Sequence, residues 1–92
     1  MGFVHWLRRL IRRPLFVVHL HDGHATAEKG NLSVGFLTEC ADLAGKRGIE
    51  EGRLFGVWKS GAVSLEFSSG IPEEHHQVFR NLWGLYRGRH KR

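Results

Sequence analysis

The sequence predicts a single α+β domain built from two successive ββα units. Three observations carry this. Two tight-turn dipeptides, Asp22-Gly23 and Ser60-Gly61, sit 38 residues apart. Each is flanked by short runs in which apolar and polar residues alternate, the strand period. Each hairpin is followed by an apolar stripe at helical spacing. The expected architecture is a four-stranded antiparallel sheet with two helices on one face, plus a short amphipathic helix at the N-terminus. The boundaries read as 1–14 for the basic N-terminal helix, 15–87 for the domain and 88–92 for a basic tail.

Leu15 to His21 reads as the first strand, with Phe16, Val18 and Leu20 on its apolar face. Asp22-Gly23 closes a two-residue hairpin, because glycine accepts the positive φ that such turns need. The return strand runs from His24 to Lys29, and the turn length pairs Leu20 with Ala25 and Val18 with Ala27. Ser33 is placed to cap a helix whose stripe is Phe36, Leu37, Cys40, Leu43 and Ala44. Gly48 suits its left-handed termination, with Ile49 folding back.

The second unit repeats this order. Arg53 to Lys59 is the expected strand and Ala62 to Ser68 its return, with Trp58 opposite Val63, Gly56 opposite Leu65 and Leu54 opposite Phe67. Pro72 belongs in the first turn of a helix with Glu73 and Glu74 beside it. Val78, Phe79, Leu82, Leu85 and Tyr86 form its expected buried stripe. Two such hairpins are unstable alone. Joined edge to edge, they let both helices roof one shared apolar face. The other face would then present Val17, His19, His21, His24, Thr26, Arg53, Phe55, Val57, Lys59, Ser64 and Glu66.

From Gly35 onward the chain resembles a family of small uncharacterised bacterial proteins of unknown function. The residues that carry the resemblance are Leu65-Glu66-Phe67-Ser68-Ser69-Gly70-Ile71-Pro72-Glu73 and Arg80-Asn81. Gly35-Phe36-Leu37 and Gly48-Ile49 match more weakly. The resemblance implies a common fold and a bacterial source. It brings no activity and no site residues.

The 92 residues allow one domain. A single cysteine, Cys40, excludes an intrachain disulfide framework and agrees with a reducing compartment such as the cytoplasm. The net charge of +5 is unevenly distributed. Residues 1–14 carry Arg8, Arg9, Arg12 and Arg13, and residues 87–92 carry Arg87, Arg89, Lys91 and Arg92. Between them, residues 15–86 hold six basic and nine acidic side chains. An acidic body therefore stands between two cationic ends, and attraction to polyanions belongs to the ends.

Residues 3–13 read as an amphipathic helix ended by Pro14. Phe3, Leu7, Leu10 and Ile11 form its stripe, Trp6 lies at the edge, and the four arginines lie mostly off it. The two Arg pairs and the missing cleavage site argue against a secretion signal. Thirteen helical residues reach about 20 Å, too short for roughly 30 Å of hydrocarbon. Trp6 stands where a myristoylation signal needs Ser or Thr.

Three constellations qualify as candidate sites. His19, His21 and His24 would converge across the first hairpin and can bind Zn²⁺ or a similar ion, with Glu28 or water in the fourth position. The competing reading is three exposed polar residues, and no bound cofactor is expected. The second constellation is the cationic pair of ends. Phe3, Trp6, Leu7 and Leu10 with the arginines around them have the pattern of a helix lying on anionic lipid. Arg87, Arg89, Lys91 and Arg92 can grip phosphates, or simply keep the chain soluble. The third is the open sheet face. There Phe55 and Val57 sit between Arg53 and Lys59, so bases can stack on Phe55. Alternatively Val17, Phe55 and Val57 bury against another protein or a second copy of the chain.

The remaining motifs are weak. His75-His76 is a poor chelate, because adjacent helical residues point about 100° apart. Cys40 lies on an apolar stripe, where a thiol packs inertly. Ala44-Gly45-Lys46-Arg47-Gly48 ends a helix and is no phosphate loop. No acid, base and nucleophile are brought together, so an enzyme is not expected. The expected function is an interaction module in the cytoplasm, held peripherally at an anionic inner membrane surface. Binding of nucleic acid by the basic ends and the open sheet face is the alternative.

Overall fold

A computed structural model describes residues 13–87. Apart from Arg13 and Pro14, the helix expected over the N-terminal stretch lies outside them, as do residues 88–92 of the tail. The described chain runs β1 (Phe16–His21), β2 (His24–Lys29), α1 (Val34–Lys46), β3 (Glu51–Lys59), β4 (Ala62–Phe67), a 3₁₀ turn (Glu73–His75) and α2 (His76–Arg87). Its sheet is antiparallel in the order β2-β1-β3-β4, so the two hairpins join through β1 and β3. The ββα-ββα reading holds.

Local chemistry sets the elements. Asp22 and Gly23 have φ of 49° and 78°, and Ser60 and Gly61 have 52° and 83°. Two successive positive φ values make type I′ turns, whose twist matches that of the strands they join. The expected pairs Leu20–Ala25, Val18–Ala27, Trp58–Val63, Gly56–Leu65 and Leu54–Phe67 all form. A β-bulge between Val17 and Val18 shifts the outer register, so that Val17 faces Lys29. The Ser33 hydroxyl accepts from Phe36 N–H at 3.1 Å and caps α1. At the other end, Ile49 N–H donates to Ala44 O and Gly48 N–H to Gly45 O, the paired bonds of a Schellman termination.

The core lies between the sheet and the two helices. Val18, Leu20 and Leu54 of the sheet are fully buried against Phe36, Cys40 and Phe79 of the helices. Ile49 and Ile71 close one end of this layer. Phe16 lies over Gly56, its register partner on β3, and packs against Phe36 and Trp83. No polar residue is buried among the described residues.

The structure corrects several details. Leu85, expected in the buried stripe of the second helix, is 70% exposed, whereas Trp83 is 7% exposed. The helix turns about 100° per residue. Phe79, Leu82, Trp83 and Tyr86 therefore share a face, and Leu85 falls roughly 110° from its centre. Trp83 Nε1–H also donates to Val63 O at 3.0 Å, which ties the indole to the sheet. Trp58 is 67% exposed, because β3 runs on past its last pairing with β1 at Gly56. The second α-helix begins at His76 after a 3₁₀ turn, so Pro72 precedes that turn instead of opening the α-helix. β3 begins at Glu51, two residues before the expected start.

Candidate functional site

Strand alternation puts His19 and His21 on the sheet face turned away from the helices. Their rings stack at 5.4 Å between centroids with 23° between planes. The neighbouring strand β3 begins opposite them, with Glu51 the register partner of His21. His19 Nε2 lies 2.8 Å from Glu51 Oε2, and His21 Nδ1 lies 3.5 Å from Glu51 Oε1. One donor atom from each of His19, His21 and Glu51 falls within 4.8 Å of the other two.

His24 pairs with His21 in the register but does not join this group. The third member is the carboxylate of Glu51. Sequence reasoning missed it because it started the strand at Arg53. Carrying the alternation back by two residues across Gly52 places Glu51 on the face of Arg53 and Phe55.

A second set of groups surrounds the first. Glu28 Oε2 is 3.6 Å from His19 Nδ1, the nitrogen remote from Glu51. Glu28 is itself gripped by Arg53 through Nε at 2.8 Å and a second nitrogen at 3.2 Å. Asp22 Oδ2 is 3.4 Å from His21 Nε2. The hydrogen bond from Arg53 holds the Glu28 carboxyl below its ordinary pKa, and that from His19 does the same for Glu51.

Along the open face, Val17, Arg53, Phe55, Val57 and Lys59 share one side, as expected from the registers. Three of them are covered or already engaged. Phe55 is only 8% exposed, which leaves no stacking platform. Arg53 is engaged by Glu28, and Lys59 lies 3.2 Å from Glu66.

The two ends of the domain differ in character. At one end, Leu15, Gly30, Asn31, Leu32, Val63 and Trp83 surround a shallow groove of about 220 Å³. The start of β1, the end of β2, the β3–β4 turn, the start of α1 and the end of α2 meet here. Gly35 of α1 lies against Tyr86 of α2, confirming that these helix ends adjoin. The exposed large hydrophobic residues Leu15, Val34, Trp58 and Leu85 all belong to these segments. At the opposite end, Glu50, Glu51, Arg47 and His75 line a second cleft, with Asp22 and the Glu73–Glu74 pair on adjoining segments.

Of the expected lipid or anion contacts, Arg13 and Arg87 are described and exposed. Phe3, Trp6, Leu7, Arg8, Arg9, Leu10, Arg12, Arg89, Lys91 and Arg92 lie outside the described residues. No described helix is long and apolar enough to cross a membrane. Cys40 is buried, and burial pushes its thiol pKa up to about 12. His75 and His76 diverge: His76 stacks on Phe67 and its Nε2 lies 2.9 Å from Ile71 O, whereas His75 Nε2 faces Glu74.

A family described as "Protein of unknown function (DUF3634)" matches residues 3–92. No curated protein and no solved structure matches the chain.

Proposed function

The chain belongs to the DUF3634 family of proteins of unknown function, and we propose that it is a non-enzymatic interaction module that rests peripherally on an anionic membrane surface. The observation that carries this reading is the polarity of the domain. Leu15, Val34, Trp58 and Leu85 gather at the end where Arg13 enters and Arg87 leaves the described fold. Residues 1–12 and 88–92 join the domain there, and they add Arg8, Arg9, Arg12, Arg89, Lys91 and Arg92. Five of the nine acidic side chains, Asp22, Glu50, Glu51, Glu73 and Glu74, lie toward the far end, with Arg47 beside them.

The energies favour a surface-bound arrangement. Each Lys or Arg close to an anionic bilayer is worth about 1 kcal/mol, so the eight terminal cations supply up to about 8 kcal/mol at low salt. An exposed tryptophan suits the headgroup region, where an amphipathic ring finds both water and acyl chain. Repulsion of Asp22, Glu50, Glu73 and Glu74 by the same surface fixes which end faces the lipid. The nucleic-acid alternative rests on the terminal cations alone, since Arg53 and Lys59 are paired and Phe55 is covered.

Flotation of the full chain with vesicles tests this. Vesicles of phosphatidylcholine containing phosphatidylserine should carry the protein to the top of the gradient, and pure phosphatidylcholine should not. The Trp58→Ser/Leu85→Ser variant and deletion of residues 1–13 should each reduce recovery. Equal recovery on neutral and anionic vesicles, or no loss in both variants, overturns the proposal. Tighter binding to a DNA duplex with a log–log salt slope of about −5 to −7, as six to eight phosphate contacts require, would transfer the reading to nucleic acid.

A further inference from the structure

We propose that His19, His21 and Glu51 form a binding site for a divalent transition-metal ion of the zinc type, at the end of the domain away from the lipid-facing pole. Strand geometry assembles it. Residues i and i+2 of β1 project side by side, and β3 supplies a carboxylate across the ladder. A tetrahedral ion bound at about 2.0–2.1 Å by nitrogen and oxygen needs donor atoms about 3.3–3.4 Å apart. The contacts from Glu51 to His19 at 2.8 Å and to His21 at 3.5 Å bracket that separation. The two contacts are to different oxygens of Glu51, and one donor of each residue lies within 4.8 Å of the others, so side-chain rotation is needed to bring all three onto one ion.

The groups behind the donors point the same way. A metal-binding imidazole ordinarily gives its remaining N–H to a carboxylate, which fixes ring orientation and tautomer. Each histidine has a carboxylate near its second nitrogen, at 3.6 Å for His19 and 3.4 Å for His21. These distances are longer than a good hydrogen bond but close enough to tighten when an ion orients the ring. His19 binds through Nε2 while Nδ1 faces Glu28, and Glu28 is locked by Arg53. His21 binds through Nδ1 while Nε2 faces Asp22. Two imidazoles exclude a hard-ion site for Mg²⁺ or Ca²⁺ and suit Zn²⁺, Co²⁺, Ni²⁺ or Cu²⁺. Three protein donors on an exposed face leave a fourth position to water or to a donor from a partner. A histidine–carboxylate ion pair without affinity for metal is the competing explanation of the same contacts.

The experiment is titration of the chelator-treated full chain with Zn²⁺ and, for its visible spectrum, with Co²⁺. One equivalent should bind, and Co²⁺ should give the intense absorption of four-coordinate geometry. His19→Ala, His21→Ala and Glu51→Gln should each weaken binding at least about tenfold, while His24→Ala stays within about threefold of the parent. Glu28→Gln acts through His19, and the loss of a carboxylate behind a ligand predicts a 10–100-fold weaker site. Far-ultraviolet circular dichroism of each variant confirms that it folds. Binding that is absent, or that survives the His19 and His21 substitutions unchanged, overturns the proposal. So does a weak octahedral Co²⁺ spectrum. These results are independent of flotation, because the metal site and the lipid-facing pole share no residue.

Discussion

Replacing Gly56 with alanine probes how tightly the two hairpins are joined. Gly56 is the β3 partner of Phe16, and a methyl group added there would overlap the Phe16 ring. That ring cannot swing clear. It is 6% exposed and held by Trp83 at 5.0 Å and the edge of Phe36 at 6.5 Å. Overpacking a core in this way destabilises by about 1–3 kcal/mol, and a rigid aromatic neighbour argues for the upper half, about 2–3 kcal/mol. Removing a glycine from a strand returns roughly 0.5–1 kcal/mol of backbone entropy. The clash wins, and the expected net loss is about 1–2.5 kcal/mol. For a domain of this size that lowers Tm by about 4–20 °C. Urea denaturation followed by circular dichroism measures the loss. Phe16→Leu in the same background opens room for the methyl, so the double variant should be more stable than the two single losses summed, by about 1 kcal/mol. A Gly56→Ala protein as stable as the parent, or strict additivity with Phe16→Leu, would refute the close approach of these two strands.

Other outcomes follow from individual contacts. Cys40, with its thiol pKa near 12 and its side chain buried, should resist a thiol-specific chromogenic reagent in native protein and react fully in denaturant; rapid native labelling at pH 8 contradicts the burial. Trp83→Phe keeps the ring in the core but abandons Val63 O, so stability should fall by about 1 kcal/mol or more in urea titration; an unchanged midpoint counts against that hydrogen bond. Arg53 lowers the pKa of Glu28, so the stability from this pair is fully present above the usual carboxylate value of 4.5 and is lost as pH falls through the lowered folded value. Glu28→Gln should flatten that acid limb in chelator-treated protein, and an identical pH profile for variant and parent would show that the pair adds nothing.

Most of the fold was legible because its determinants are local. Each turn dipeptide fixes a register, and one register decides the facing of ten or so side chains. Ser33 and Gly48 mark the ends of α1 by capping chemistry that needs no tertiary information. The errors share a cause. Leu85 was placed in the stripe and Trp83 left out because Val78 and Leu85 extend the apolar pattern on one flank of the helix, whereas the face that packs is centred on the other flank, where Trp83 also bonds Val63 O. Exposure of Trp58 depends on β1 being shorter than β3, which neither strand's sequence announces. In the candidate metal site, the two histidines of β1 were visible as an i, i+2 pair. Glu51 was not, because it sits 30 residues from His21 and meets it only when β1 and β3 pair. The Arg53–Glu28 brace likewise joins residues brought together by the sheet.

The bulge between Val17 and Val18 has a consequence for crowded solution. It falls where β2, the outer strand of the described sheet, pairs with β1, and the residue count on the two strands goes out of step there. A strand that kinks and twists at that point, and bears Glu28 and Lys29 beside the kink, makes a poor template for a second molecule seeking to extend the ladder. Self-association by strand addition is thereby discouraged on the β2 margin, and concentrated protein should stay free of fibrillar assemblies begun from that side.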